Sequence, residues 1–351
     1  MNLLSKNNGY SLYETMPTQE GASRLRTFLV STPETRSICN DPRVMGVEYT
    51  DKLKTAMEKL FVSLKEAGVE LGEEKSLLIL NILRGGLNFG LRDALHTAYG
   101  WNKHRSAFIS SQRAYDEKEG WHVTENRYQK IPLMEEMDLL FADVVATGVS
   151  LEHATTKLVE LCKETGKKIR RVTFITIGGE RAHEIMTKID ALCRSLWADY
   201  QGTNLIFIEG IFGVAEEGSH LNIAIPGTDL LRHPALLTPE FIDAQKEALP
   251  YALERCTIYD AGSRAYDVNE YLEDVKDYWQ KVHALGEKGL SVRDYLEERF
   301  PEDTRLKDAE WCEAHGVPGS LTALAVTHWR CWKEDPEAPT DIYPANCGIF
   351  H

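Results

Sequence analysis

The stretch Leu139 to Ser150, LLFADVVATGVS, brings a carboxylate, two hydroxyls and a glycine together where an apolar run meets a helix-period segment beginning at Leu151. A strand that ends in Ala146-Thr147-Gly148-Val149-Ser150 and passes into a helix makes a nest of backbone N–H groups. The positive end of the helix dipole backs that nest, and both hydroxyls aim at it. This is a monophosphate site by construction. Asp143, at the end of the strand, can accept hydrogen bonds from the hydroxyls of a sugar attached to that phosphate, so one loop would hold a ribose 5-phosphate. The plainer reading is an ordinary turn with Ser150 as the helix N-cap. Neither the ATP-binding pattern G-x-x-x-x-G-K-[ST] nor the dinucleotide pattern G-x-G-x-x-G occurs.

Two further stretches could serve the same ligand. Arg84-Gly85-Gly86 stops the apolar run Ser76 to Leu83, SLLILNIL. Its glycines let backbone approach a phosphate closely, and Arg84 offers a charge-assisted contact. The polar stretch Ser110 to Lys130, SSQRAYDEKEGWHVTENRYQK, is too long and charged for a simple connection, and loops of this size without regular structure are commonly active-site lids. Arg113 is its candidate cation, the alternative being a solvated side chain.

These residues resemble the type I phosphoribosyltransferases, whose signature is an apolar strand, an acidic pair and a Thr-Gly-x-Thr/Ser loop. Ala142 stands where the family carries the first acid, leaving Asp143 alone. The resemblance is closest to uracil phosphoribosyltransferase and spans roughly Thr32 to Arg232. In that enzyme an Arg-Ala-Gly loop resembles Arg84-Gly85-Gly86, and a lid with an Arg, an acidic patch and a Tyr-x-Lys ending is similar to Arg113 through Tyr128-Gln129-Lys130. Its Tyr-Ile-x-Pro-Gly-x-Gly-Asp stretch, which reads the base with backbone atoms, is similar to Asn222-Ile223-Ala224-Ile225-Pro226-Gly227-Thr228-Asp229. This chain is one residue shorter between Gly227 and Asp229, and its single acid occupies the other position of the pair.

The resemblance implies that 5-phosphoribosyl 1-pyrophosphate is the donor, with Mg2+ bridging pyrophosphate and ribose hydroxyls. Arg84, Arg113 and Asp143 would be catalytic. The donor would be held by Arg84, Gly85, Gly86, Arg113, Lys130, Asp143, Ala146, Thr147, Gly148, Val149, Ser150 and Asp229, and the base by Ala224, Ile225 and Gly227. Asp229 could equally cap a turn after Pro226-Gly227. The acceptor would be uracil or a related nitrogen heterocycle. A purine acceptor is the alternative within the enzyme class, and a non-catalytic sensor of the donor or a nucleotide is the alternative outside it. The long lid and Arg113 favour the enzyme, and the absent acid at Ala142 favours the sensor. A homo-oligomer, a dimer by analogy, is the expected assembly.

Four apolar runs position these loops, each leading into glycine: Ser76 to Leu83; Leu139 to Val145; Arg171 to Ile177, before Gly178-Gly179; and Asn204 to Ile211, ending near Gly213. Helix-period segments lie before the first, at Tyr49 to Ala67, after the second, at Leu151 to Lys163, and after the third, at Glu180 to Trp197. Strand–helix alternation predicts an α/β fold with a mostly parallel sheet flanked by helices, the type I phosphoribosyltransferase fold on the resemblance. Ligands of such sheets bind at the carboxyl ends of the strands. A phosphoribosyltransferase-like domain is expected over 1–234, with its core at 70–232, followed by a mainly helical C-terminal region over 235–351.

The 351 residues are 43% hydrophobic and 27% charged, which excludes disordered and fibrous classes. Forty Lys plus Arg against 54 Asp plus Glu give a net charge of −14, which argues against nucleic acid and anionic membrane as partners. The chain reads as soluble and cytoplasmic, without a signal peptide or membrane span. Seven cysteines suit a reducing compartment. Cys312-x-x-His315 and His328-x-x-Cys331 have spacings compatible with tetrahedral zinc, the plainer reading being buried thiols beside surface imidazoles.

Overall fold

A computed structural model describes residues 1–15, 25–110, 112–116, 120–125, 128–215, 229–247, 261–294 and 319–325, together with Glu310 and Glu313. The strands are β1 (Asn2–Lys6), β2 (Ser11–Glu14), β3 (Leu25–Ser31), β4 (Leu77–Leu83), β5 (Arg105–Ser110), β6 (Gln112–Asp116), β7 (Gly120–Glu125), β8 (Gln129–Lys130), β9 (Glu136–Val145), β10 (Lys168–Gly179), β11 (Gly202–Val214) and β12 (Leu230–Leu237). The helices are α1 (Pro33–Asn40), α2 (Gly46–Glu66), α3 (Leu91–Tyr99), α4 (Val149–Glu164), α5 (Glu180–Leu196), α6 (Pro239–Glu247), α7 (Ala261–Tyr266) and α8 (Val268–Glu287).

The main sheet runs β1-β2-β3-β11-β10-β9-β4-β5-β8, with β12 pairing β11 from the side. From β3 to β5 every pairing is parallel, and the antiparallel pairings lie outside that span or at β12. The central strands read as continuous apolar runs because both faces are covered. Leu77 and Ile79 join the core shared with α2 and α3, whereas Leu78 and Leu80 join the core shared with α4 and α5. Phe141 stacks on Phe174 across β9 and β10 at 4.5 Å between ring centroids. The result is a mixed α/β architecture, a central sheet flanked by helices. Among the described residues no helix is long and apolar enough to cross a membrane.

Three expectations change. Gly178-Gly179 and Gly213 do not stop their strands, since β10 continues through Gly179 and β11 through Val214. A Cβ on Gly178 would stand 2.8 Å from the Val145 carbonyl oxygen, and one on Gly179 would stand 2.7 Å from that of Phe212. Those glycines let neighbouring backbones close together instead of ending the strand. Within the stretch 110–130 the described residues include two paired strands, β6 and β7, antiparallel and with their backbone against α4, where an irregular loop was expected. Helix α4 starts at Val149, two residues before the expected Leu151, so Ser150 lies inside the helix and Gly148 is the cap.

The chain after the sheet returns to it. β12 spans residues 234 and 235 and pairs antiparallel with the end of β11, while α7 packs on α2 and on the 3₁₀ turn Gly85–Phe89.

Candidate functional site

β4 and β9 are parallel neighbours, so the turn Arg84-Gly85-Gly86 and the segment from Asp143 to Ser150 leave the sheet at the same edge, side by side. They touch. A Cβ on Gly85 would stand 2.7 Å from Asp143 Oδ1, and one on Gly86 would stand 3.1 Å from the Ala142 carbonyl oxygen. The Leu83–Arg84 peptide is cis. Arg84 is exposed and forms no ion pair among the described residues, and Asp143 is half-buried with its Oδ1 accepting from Val144 N at 2.9 Å. A free guanidinium, a carboxylate and two backbone turns therefore share one rim of the sheet.

Beyond Asp143 the backbone turns through Ala146 and Thr147 into α4. Gly148 makes that turn with φ +72°, and a Cβ there would collide with Ile185 Cδ1 and stand 3.2 Å from Arg181 Cγ. Both conformation and space call for glycine. The cap makes no side-chain hydrogen bond, and Thr147 Oγ1 reaches Val149 N only at 3.5 Å. The first N–H groups of α4, together with the dipole, are thus set to receive an anion. Arg181 adds a cation beside this turn, held by Glu152 at 2.9 Å and Glu184 at 2.8 Å. Nothing in the spacing of residues 146–150 singled it out.

Two other expected site residues are described. Lys130 lies exposed on β8, opposite Phe108 of β5 and three strands from β9, which is about 14 Å across the sheet. Asp229 is fully buried at the start of β12, where its carbonyl accepts from Ala215 N at 2.9 Å. The side chain of Arg113 on β6, the base-reading residues Ala224, Ile225 and Gly227, and the Cys312, His315, His328 and Cys331 set lie outside the described residues. Among the described residues no three His, Cys, Asp or Glu side chains gather as a metal site.

No family model and no curated protein matches the chain. Among solved structures, the chain is similar to a hypoxanthine phosphoribosyltransferase of Staphylococcus aureus. That match has 13% identity and a TM-score of 0.27, and covers 56% of this chain and 91% of that one. At this TM-score the likeness assigns neither a fold nor an activity.

One titratable group was hidden in the sequence by its apolar neighbours. Glu209, in β11, is fully buried with φ +62°. Phe207 faces Thr176 and Ile211 faces Gly178, so Ile208, Glu209 and Gly210 of β11 bulge opposite the single residue Ile177. The bulge turns the carboxylate toward α1 and β12, where it accepts from Thr32 N at 3.3 Å, from the Thr35 hydroxyl and from the Thr238 hydroxyl at 2.9 Å. Burial pushes its pKa from the ordinary 4.5 up to about 7, against the opposing hydrogen bonds from Thr35, Ser31 and Thr238 and the charge of Arg36.

The folded protein therefore holds a proton that the unfolded chain releases near pH 4.5. The stability this contributes is complete below about 4.5 and is lost as pH rises through about 7, roughly 3 kcal/mol in all. Glu209→Gln lacks that slope. The melting temperature of the wild type relative to this variant should fall from pH 5 to pH 7.5, and a constant difference would overturn the assignment.

Proposed function

We propose that this chain binds 5-phosphoribosyl 1-pyrophosphate and transfers its ribose 5-phosphate to uracil or a related nitrogen heterocycle, releasing pyrophosphate. The observation that supports it best is the contact between Gly85 and Asp143, since it joins a glycine turn carrying a free arginine to an acid-led turn that enters a helix. A donor with a phosphate at one end, a diol in the middle and a diphosphate at the other asks for those three elements in that order.

In this reading the α4 N-terminus and the Thr147 and Ser150 hydroxyls take the 5-phosphate, and Asp143 accepts from the ribose hydroxyls. The N–H groups of Gly85 and Gly86 take the pyrophosphate, with Arg84 alongside. The acceptor nitrogen attacks the anomeric carbon as the bond to the pyrophosphate oxygen breaks. The bonding pair leaves with pyrophosphate, and positive charge develops on the ribose. Catalysis is then mainly positioning and charge stabilisation, with Asp143 facing the developing cation and Arg84 the developing anion.

One half-buried carboxylate and open backbone fit Mg2+, which commonly takes one or two carboxylates and otherwise phosphate oxygens and water. Asp143 would hold it, and it would neutralise charge on the leaving group.

A second reading, a sensor that binds the donor without turnover, is favoured by one observation. Ala142, where an acid would add a second contact, is fully buried in the apolar core. The test is pyrophosphate release from the donor with magnesium across a panel of pyrimidine and purine bases, beside donor binding by calorimetry. Release with uracil supports the proposal, and release with hypoxanthine or guanine alone moves the acceptor to the purines. Donor binding with no release on any base selects the sensor, and no donor binding removes both readings.

A further inference from the structure

The C-terminal helices reach the pyrophosphate side of the site through α7. Its position is fixed from within by Arg264, a fully buried side chain that donates to the carbonyls of Val44 at 2.7 Å, Asp41 at 2.8 Å and Ile38 at 3.1 Å. On the far side, Asp267 N donates to Ser263 O at 2.8 Å, and the Asp267 carboxylate accepts from Glu270 N to cap α8. Tyr266 sits between these two fixed points on a helix that packs against the Gly85–Phe89 turn. It leaves 49% of its surface exposed.

Two facts bear on what that open phenol is for. Arg84, which leads into the Gly85–Phe89 turn that α7 packs against, forms no ion pair among the described residues, although the protein carries a net charge of −14. Burial raises the phenol's pKa from 10.0, while the charge of Arg84 pulls it down, and the first effect wins. Tyr266 is therefore protonated at neutral pH and available as a donor, beside a guanidinium with unused donors of its own. A phenol and a guanidinium carried on packed neighbouring turns are two sets of donors that can converge on one anion, beside the Asp143 carboxylate that serves the ribose in the reading above.

We propose that Tyr266 is a binding residue of this site, donating its phenolic O–H to an oxygen of the diphosphate that Arg84 holds. The inference rests on the donor reading above and adds the C-terminal segment to the site. Its partner is the leaving group, not the base, because α7 contacts the Arg84 turn.

The test is calorimetry on the full chain with magnesium pyrophosphate and, separately, ribose 5-phosphate, for the wild type and Tyr266→Phe. Removing a hydrogen bond to a charged group should weaken pyrophosphate about tenfold. Ribose 5-phosphate, taken by the Thr147–Ser150 turn, should bind within about twofold of wild type, which also reports that the variant is folded. Unchanged pyrophosphate affinity overturns the inference and leaves the donor site standing. Equal weakening of both ligands shows a structural role and overturns it too. If the wild type binds neither ligand, the donor reading fails with it.

Discussion

Gly85→Ala is expected to lower donor-dependent pyrophosphate release about 10²–10³-fold, as far as Asp143→Asn does, while leaving stability within about 1 kcal/mol of wild type. The added methyl would stand 2.7 Å from Asp143 Oδ1, a separation that no carbon and oxygen keep without bonding. Gly85 does not use a positive φ, so alanine fits the backbone and the carboxylate must give way. It ends a half-buried side chain that can rotate, giving up the 2.9 Å hydrogen bond from Val144 N among its contacts. On the proposed donor reading, the ribose hydroxyls then lose their acceptor. Gly86→Ala is different in kind, because its methyl meets the Ala142 carbonyl at 3.1 Å and backbone cannot rotate aside.

The informative measurement is the double variant. If Gly85→Ala acts by displacing Asp143, then Gly85→Ala with Asp143→Asn should be no slower than either single variant, because the two changes remove one interaction. Rates that multiply would show that the methyl obstructs the donor directly. A Gly85→Ala protein that keeps more than about a tenth of wild-type release, beside an inactive Asp143→Asn, would show that the contact between the two loops does not matter for the chemistry.

The centre of the sheet was legible because burial on both faces writes itself into sequence as an unbroken apolar run. Leu77–Leu83 and Glu136–Val145 carry such runs, and the turns that end them are the two loops of the site. The edge was not legible. β3 begins Leu25-Arg26-Thr27, and its polar start is paid for by a partner on another strand, since Arg26 Nε donates to Glu14 Oε1 at 2.8 Å. Glu209 was hidden for a related reason. Its run NLIFIEGI reads as a plain strand, and only the pairing with β10 shows that three residues bulge there and turn the carboxylate inward. Hairpin β6–β7 was missed because its charged residues look the same in a lid and in a solvated strand pair. The hardest feature to read was α7, since what fixes it lies more than 200 positions earlier in the chain.

That anchor gives the second large effect. Arg264→Leu is expected to cost about 3–5 kcal/mol in urea unfolding, because the buried carbonyls of Ile38 and Val44 lose this donor at about 1–3 kcal/mol each, the part-buried carbonyl of Asp41 keeps only Val44 N, and leucine supplies no donor. A buried arginine is ordinarily unfavourable without a carboxylate partner, and Arg264 has none among the described residues. Here the carbonyls of Ile38 and Asp41 close the C-terminal end of α1, where the helix dipole is negative, and the guanidinium also stacks over Tyr49 at 4.8 Å and Tyr271 at 5.6 Å. Tyr271 completes the joint by donating to the Pro42 carbonyl at 2.9 Å. Nη1 has no partner among the described residues, which offsets part of the gain and sets the expected loss below the sum of its parts. Arg264→Lys keeps the charge but not the planar fork and should recover less than half of the loss. A cost under about 1 kcal/mol for the leucine variant would mean that apolar packing, not this guanidinium, holds α7. Because Tyr266 lies two residues beyond the anchor, the same variant should weaken pyrophosphate binding as well, and a protein that is destabilised yet binds pyrophosphate as tightly as wild type would separate the joint from the site.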